Sequence, residues 1–215
     1  MCDIAKQIRD LDPWRQNINL GNGIWTRGSP GPSARGFNCV KILKAIPNDL
    51  TGKRVLDLGC NAGYFSFVCR NRGAEVVGLD ISQRCITQAK FCRKVKSIRH
   101  QEIEFEVASI YDARKFGTFD LVLFIGLLYH LTDLDRAFKE VKAVCKETLI
   151  LETAVYKELW EYKAPLILVA EGLPGKSGYR HPNKAALLHL LKKGGFVKPV
   201  KVIFESGRYG CVARK

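Results

Sequence analysis

Short apolar runs alternate along most of this chain with stretches whose apolar residues recur every three or four positions. Runs at 54–58, 74–79, 103–107, 119–125 and 148–153 are rich in Val, Ile, Leu and Phe and predict strands. Between them, 64–72, 83–99 and 133–145 carry helical periodicity. Gly73 suits the C-terminal cap of the first helix and Ser82 the N-cap of the second, whose inward face is Ile86, Ala89 and Val95. The run at 119–125 is apolar enough for a central strand covered on both faces. A further helix, capped by Asn183 and stopped at Gly194-Gly195, leads into two terminal strands, 196–204 and 207–213, joined as an antiparallel hairpin. This alternation predicts an α/β fold with a mostly parallel sheet.

The flanks break the rhythm. Residues 1–35 form a lead-in or lid segment with a short helix at 4–11, a hairpin turning at Asn22-Gly23 and a breaker-rich loop at 27–33. Trp14 and Trp25 there suit either a substrate wall or core anchors. The domain proper spans 36–215 and opens with a helix whose stripe is Phe37, Val40, Leu43 and Ile46. An insertion at 154–182 interrupts it. Tyr156, Trp160 and Tyr162 recur there near helical spacing, ahead of a Gly-rich stretch at 172–178. Long irregular insertions at this edge of a sheet are usually functional, so a lid or substrate platform is expected.

Charge adds a partner to the picture. Thirty-five basic residues stand against 21 acidic ones, a net +14 that fits a polyanion such as RNA. The densest cluster is Lys90, Arg93, Lys94, Lys96 and Arg99 on one helix, although solvated lysine-rich faces give the same count. Eight cysteines without a C-x-x-C pair, several inside apolar segments, argue against a metal site or a disulfide framework. No apolar run reaches the ~18 residues that span a bilayer. Asp3, Asp10 and Asp12 interrupt any signal layout. A cytoplasmic protein without a membrane partner is expected.

Residues 54–80 hold the sharpest chemical pattern: a strand, the turn Gly59-Cys60-Asn61-Ala62-Gly63, a helix, and a second strand ending at Asp80. Glycines let a ligand pass where a Cβ would collide. The helix N-terminus offers N–H groups to a polar or anionic group. An acid ending the next strand can accept hydrogen bonds from the two hydroxyls of a ribose. A dinucleotide fingerprint reads G-x-G-x-x-G. Here the register is Asp57-x-Gly59-x-Asn61-x-Gly63, with an acid before the turn and Asn61 in place of a middle glycine.

That register resembles the first motif of class I S-adenosylmethionine-dependent methyltransferases. The resemblance implies a Rossmann-like, mostly parallel seven-stranded sheet with a C-terminal antiparallel hairpin at its edge. The segments Asp57-Leu58-Gly59-Cys60-Asn61-Ala62-Gly63-Tyr64-Phe65-Ser66, Gly126-Leu127-Leu128-Tyr129-His130-Leu131, Leu149-Ile150-Leu151-Glu152-Thr153 and Leu191-Lys192-Lys193-Gly194-Gly195-Phe196 narrow it further. Together they resemble the tRNA wobble-uridine carboxymethyltransferases and their relatives that act on 5-oxy-uridine, over residues 25–213. The implied cofactor is S-adenosyl-L-methionine or its carboxylated form, carboxy-S-adenosyl-L-methionine. Asp57, Gly59, Asn61, Gly63, Asp80, Ile81, Ser109, Ile110 and Ile125 are implied to line its site. In the carboxymethyl branch basic and phenolic side chains hold the extra carboxylate. Tyr129 matches its tyrosine, Arg27 falls where a lysine stands, and Arg208 aligns with a C-terminal arginine. The long N-terminal extension and the tryptophan-rich stretch after Phe37 are missing, which leaves the ordinary cofactor as the expectation.

Methyl transfer is an in-line displacement at a carbon activated by the sulfonium, so the protein aligns, excludes water and deprotonates where the acceptor needs it. His130 is the base candidate because it titrates near neutral pH, although a histidine there can simply bond the next helix. Tyr129 is a wall, a carboxylate contact or packing; Glu152 is a second base candidate. Arg208, His181 and Trp25 are candidates for touching substrate. The expected enzyme is an S-adenosylmethionine-dependent methyltransferase acting on RNA, a tRNA uridine above all. A small-molecule O- or N-methyltransferase, carboxymethyl transfer, and a non-catalytic RNA-binding module are the alternatives.

Overall fold

Period-two alternation decides which way each strand faces, and both faces of this sheet are apolar. In β3 (Arg54–Leu58), Val55 joins one buried cluster while Leu56 and Leu58 join the other. β6 (Phe119–Ile125) repeats the split, with Leu121 and Leu123 on one side and Val122 and Phe124 on the other. A sheet of that kind must be covered twice. The computed structural model, which describes residues 3–28, 39–99, 102–169, 178–205 and 207–215, shows both covers. Residues 36–38, where the first domain helix was expected to start, lie outside the described residues, as do 29–33 of the lead-in loop and most of the Gly-rich stretch, 172–177.

The seven-stranded sheet runs β10-β11-β7-β6-β3-β4-β5. β4 (Glu75–Asp80), β5 (Ile103–Val107) and β7 (Cys145–Ala154) continue the parallel pairing of β3 and β6. β11 (Arg208–Arg214) lies antiparallel between β7 and β10 (Val197–Glu205), the edge hairpin the sequence implies. Helices α5 (Leu134–Val144) and α6 (Lys184–Lys193) cover one face. The other is covered by α2 (Cys39–Ala45), α3 (Tyr64–Asn71), α4 (Gln83–Val95) and the lead-in, which contributes Ile8, Trp14, Ile18 and Leu20. Each fully buried large side chain, such as Phe105, Phe124 or Phe138, contributes roughly 1.5–3 kcal/mol. The chain winds outward from β3 to β5, then returns to β6 and β7. The direction therefore reverses between β3 and β6, and a crevice opens at the C-terminal ends of those strands.

Local signals placed most boundaries. Ser82, Asp133 and Asn183 cap α4, α5 and α6 by accepting from the backbone N–H groups of Cys85, Arg136 and Ala186. The lead-in forms α1 (Ile4–Asp10) and a hairpin of β1 (Asn19–Gly21) and β2 (Ile24–Trp25). Three expectations fail. α4 stops at Val95, short of 99, because Ser97 turns left-handed (φ +55°) and Ile98 N–H reaches back to Arg93; without a glycine, the sequence carried no stop signal. α2 buries Ile42 and Ile46 and leaves Val40 54% exposed, since Arg72 clasps the Leu43 and Ile46 carbonyls and sets its rotation. The Tyr156–Trp160–Tyr162 spacing yields only a short 3-10 turn at Lys157–Leu159. Trp160 packs on Phe204 and Tyr209, and a small hairpin, β8 (Ile167–Val169) with β9 (Arg180–Pro182), follows. Asn183 clasps this insertion through the Tyr162 and Ala164 carbonyls and the Leu166 N–H. No helix among the described residues is long and apolar enough to cross a membrane.

Candidate active site

The turn after β3 is held by protein groups on every amide from Asn61 to Tyr64. Asn61 N–H donates to Asp80 Oδ2 (3.0 Å), Ala62 N–H to Asn61 Oδ1 (2.8 Å), Gly63 N–H to the Cys60 carbonyl (2.9 Å) and Tyr64 N–H to Gln16 Oε1 (3.0 Å). Of the N–H groups expected to await a polar or anionic group at the start of α3, that of Tyr64 already has a protein acceptor. The turn's glycines answer to packing as much as to a ligand. Gly63 is left-handed (φ +92°) and a Cβ there would meet the Phe105 ring at 2.7 Å, while one on Gly59 (φ +71°) would press on Leu127 at 3.2 Å. Asn61 takes a left-handed conformation itself (φ +53°), which its side-chain bond to Ala62 supports.

Asp80 stands at the end of β4 with its carboxylate across the turn, taking Ser82 N–H on Oδ1 (2.8 Å) as well as Asn61 N–H on Oδ2. Each carboxylate oxygen keeps a further acceptor position. Asp57 does not share the crevice. Facing α3, it is 2% exposed and accepts the Ser66 hydroxyl at 2.6 Å. Burial pushes its carboxyl up to about 6, against the Ser66 hydrogen bond and with the charge of Asp80 adding to the rise. The folded chain thus holds a proton that the unfolded chain, at the ordinary 3.8, releases. This contribution to stability is full below about pH 4 and is lost as pH rises through 6, about 3 kcal/mol at 1.36 kcal/mol per unit. Melting curves of the protein and of Asp57→Asn are expected to diverge over that window, the variant lacking the drop.

Other rim positions sort by what their side chains touch. Ile110 is 5% exposed and part of the core, so only its backbone borders the crevice; Ser109 caps the adjoining 3-10 turn by accepting Tyr111 N–H. Ile81 is 77% exposed above Asp80, and Ile125 is half-buried at the end of β6.

Beyond β6 the polypeptide gathers a second group. Arg208 on β11 donates from Nε and Nη2 to the two oxygens of Glu152 on β7 (2.5 and 2.8 Å), and its guanidinium lies 4.9 Å from the Tyr129 ring centre. A Cβ on Gly126 would stand 3.9 Å from both Arg208 Nη2 and the Tyr129 hydroxyl, so these groups converge on one point. Glu152 is fully buried; burial raises its carboxyl above the usual range while Arg208 opposes the rise. A carboxylate occupied in this way is not the base its position suggested. His130 packs on Tyr129 (4.2 Å between ring centres) and Tyr179 (5.1 Å). Desolvation, then Arg15 and Arg208, hold its imidazole below the ordinary range against the pull of Asp80, which leaves it neutral at pH 7. His181 lies beside Tyr179. Arg27 and Trp25 are exposed on the lead-in, whereas Trp14 is core and bonds the Ile8 carbonyl.

Sequence reasoning missed Gln16, Arg15 and Tyr179. Gln16 reaches from the lead-in to the Cys60 carbonyl and Tyr64 N–H, and Thr26 bonds its carbonyl in turn. No local pattern marks such a glutamine. The basic helix α4 also proves engaged. Lys90 pairs with Glu106, Arg93 donates to the Ile103 carbonyl, Lys96 to the Asn19 carbonyl, and Arg99 pairs with Glu102. Among the described residues no group of His, Cys, Asp and Glu is arranged to hold a metal ion.

A model of the methyltransferase domain family matches residues 49–175, more than half of the chain. The tRNA U34 carboxymethyltransferase of Campylobacter hominis is 35% identical over 163 residues, covering 66% of this chain and 55% of that protein. The ubiquinone biosynthesis O-methyltransferase of Pelagibacter ubique is 32% identical over 116 residues, covering 53% of this chain and 47% of that protein. The chain spans about half the length of the curated relatives it matches. Among solved structures, the N-terminal domain of EvdMO1 with SAH bound superposes with a TM-score of 0.80 at 22% identity, covering 99% of this chain and 95% of that one. The chain belongs to the methyltransferase domain family and has the Rossmann-like fold of the class I S-adenosylmethionine-dependent methyltransferases.

Proposed function

We propose that this chain binds S-adenosylmethionine in the crevice between β3 and β6 and transfers its methyl group to RNA, with a tRNA uridine as acceptor. The observation that carries the cofactor is the closed turn: four successive amides satisfied by protein atoms suit a ligand without phosphates, and Asp80 keeps acceptor positions for two ribose hydroxyls. When bound, the cofactor supplies a methyl group already activated by its sulfonium. Asp80 orients the sugar, Gln16 holds the turn in shape, and Ser109 and Ile110 border the adenine. His130, neutral at pH 7 and at the rim, takes the proton from an acceptor hydroxyl, and Tyr129 walls the path.

RNA is favoured by the +14 charge and by the similarity to tRNA U34 carboxymethyltransferases, and a cytoplasmic location fits that acceptor. Plain methyl transfer is favoured over carboxymethyl transfer because Arg208 already has its counter-charge in Glu152, so a second carboxylate meets a neutral pair. Mass spectrometry of the nucleoside that co-purifies is expected to show the cofactor without an added carboxylate. Calorimetry with S-adenosylmethionine tests the core of the reading, and absence of binding sinks it. For the acceptor, tRNA affinity is expected to fall roughly 100-fold between 50 and 200 mM salt, as for a footprint of about four phosphates. The Pelagibacter relative supports a second reading, an enclosed small-molecule hydroxyl. Negligible tRNA affinity at low salt would decide for it.

A further inference from the structure

The approach to the crevice contains a pair of rings whose geometry the catalytic reading leaves unused. Tyr179 and His181 are two residues apart at the entry to β9, where an extended chain puts alternate side chains on one side at roughly 6.6 Å spacing. Their rings are parallel to within 10°, with centres 6.5 Å apart. Parallel rings with centres that far apart overlap little face to face. The separation is close to twice the roughly 3.4 Å spacing of stacked bases. Tyr179 is 49% exposed, yet its plane is set by near-perpendicular contacts to His130 (5.1 Å, 74°) and Tyr129 (5.7 Å, 70°). These contacts orient the ring without stacking on it.

We propose that Tyr179 and His181 form a two-sided slot that takes the planar pyrimidine ring of the acceptor, with Tyr129 and His130 at its edge. The inference rests on the acceptor reading above and adds the way a base is gripped. A base extruded from an RNA loop loses its stacking neighbours, and two parallel rings replace both of them. With the ring held there, its substituents face His130, the group assigned to take the proton. The slot reads planarity rather than base identity, because every base has a π-face.

The test titrates the protein with uridine and, separately, with 5,6-dihydrouridine, which keeps the same polar edge on a puckered ring. The chain has four histidines, so the imidazole proton signals can be assigned with single substitutions. Uridine is expected to shift the His181 and His130 signals saturably, and dihydrouridine is expected to shift neither. Tyr179→Ala weakens uridine binding roughly 5- to 100-fold, while Tyr179→Phe, which keeps the ring, stays within about two-fold of the parent. Calorimetry with S-adenosylhomocysteine on the same samples reports the cofactor crevice separately. If that ligand binds and uridine moves no histidine signal, or dihydrouridine moves them equally, the slot is overturned and the methyltransferase reading stands. If uridine saturates the slot and S-adenosylhomocysteine does not bind, the slot stands and the methyltransferase reading falls.

Discussion

Asp80→Ala is expected to lower S-adenosylmethionine affinity by at least about 100-fold in calorimetry. Two hydrogen bonds to a charged acceptor contribute roughly 1.5–3 kcal/mol each, so losing both costs about 3–6 kcal/mol of binding. The same carboxylate receives Asn61 N–H and Ser82 N–H, and the alanine variant therefore also releases the turn. Asp80→Asn separates the two effects. Its remaining carbonyl oxygen can keep one backbone bond, while the charge and one acceptor are gone. An intermediate loss of roughly 10-fold with a near-normal melting temperature is expected. A cofactor affinity unchanged in both variants would remove Asp80 from the site and the sugar-binding role with it.

The second large effect concerns stability. Arg208→Met leaves Glu152 fully buried without its cation, and breaking a buried pair from one side costs about 3–5 kcal/mol. For a chain of this size each kcal/mol moves the melting temperature by roughly 2–4 °C. The sign of the pH dependence follows from the direction of the carboxyl shift. Glu152 is already raised by burial with Arg208 opposing, and removing Arg208 raises it further. A raised carboxyl stabilises the fold below its unfolded value and loses that contribution as pH rises. The deficit of Arg208→Met is therefore expected to be larger at pH 8 than at pH 5. Combining it with Glu152→Leu should recover most of the loss, since an apolar pair of similar volume replaces the ion pair. A deficit that is flat with pH would mean that Glu152 is not the group left uncompensated.

The two variants mark the line between what was legible beforehand and what was not. Asp80 belongs to a contiguous pattern, in which strand, left-handed turn, helix and second strand follow one another within residues 54–80, so its place could be read off the chain. Glu152 looked like a free acid at a strand end because nothing nearby in sequence announces Arg208, 56 residues away. The basic run on α4 misled in the same way. Its charges are visible in sequence, but their partners sit on β5, β1 and the loop before β5. Exposed pairs of that kind contribute only about 0.2–1 kcal/mol, so an RNA phosphate could displace them, at the cost of first doing so.

Local periodicity and turn chemistry by themselves determined the succession of strands and helices along the chain, the two-faced burial of the central strand, the terminal hairpin, the caps at Ser82 and Asn183, and the place of the first turn. Each of these depends on interactions between residues a few positions apart. Tertiary structure alone decided that Gln16 closes that turn from 48 residues away, that Asp57 faces Ser66 rather than the crevice, and that Tyr179, His181, His130 and Tyr129 meet at its mouth. Those contacts join segments that only the winding of the sheet brings together, and a pattern confined to one segment carries no trace of its distant partner.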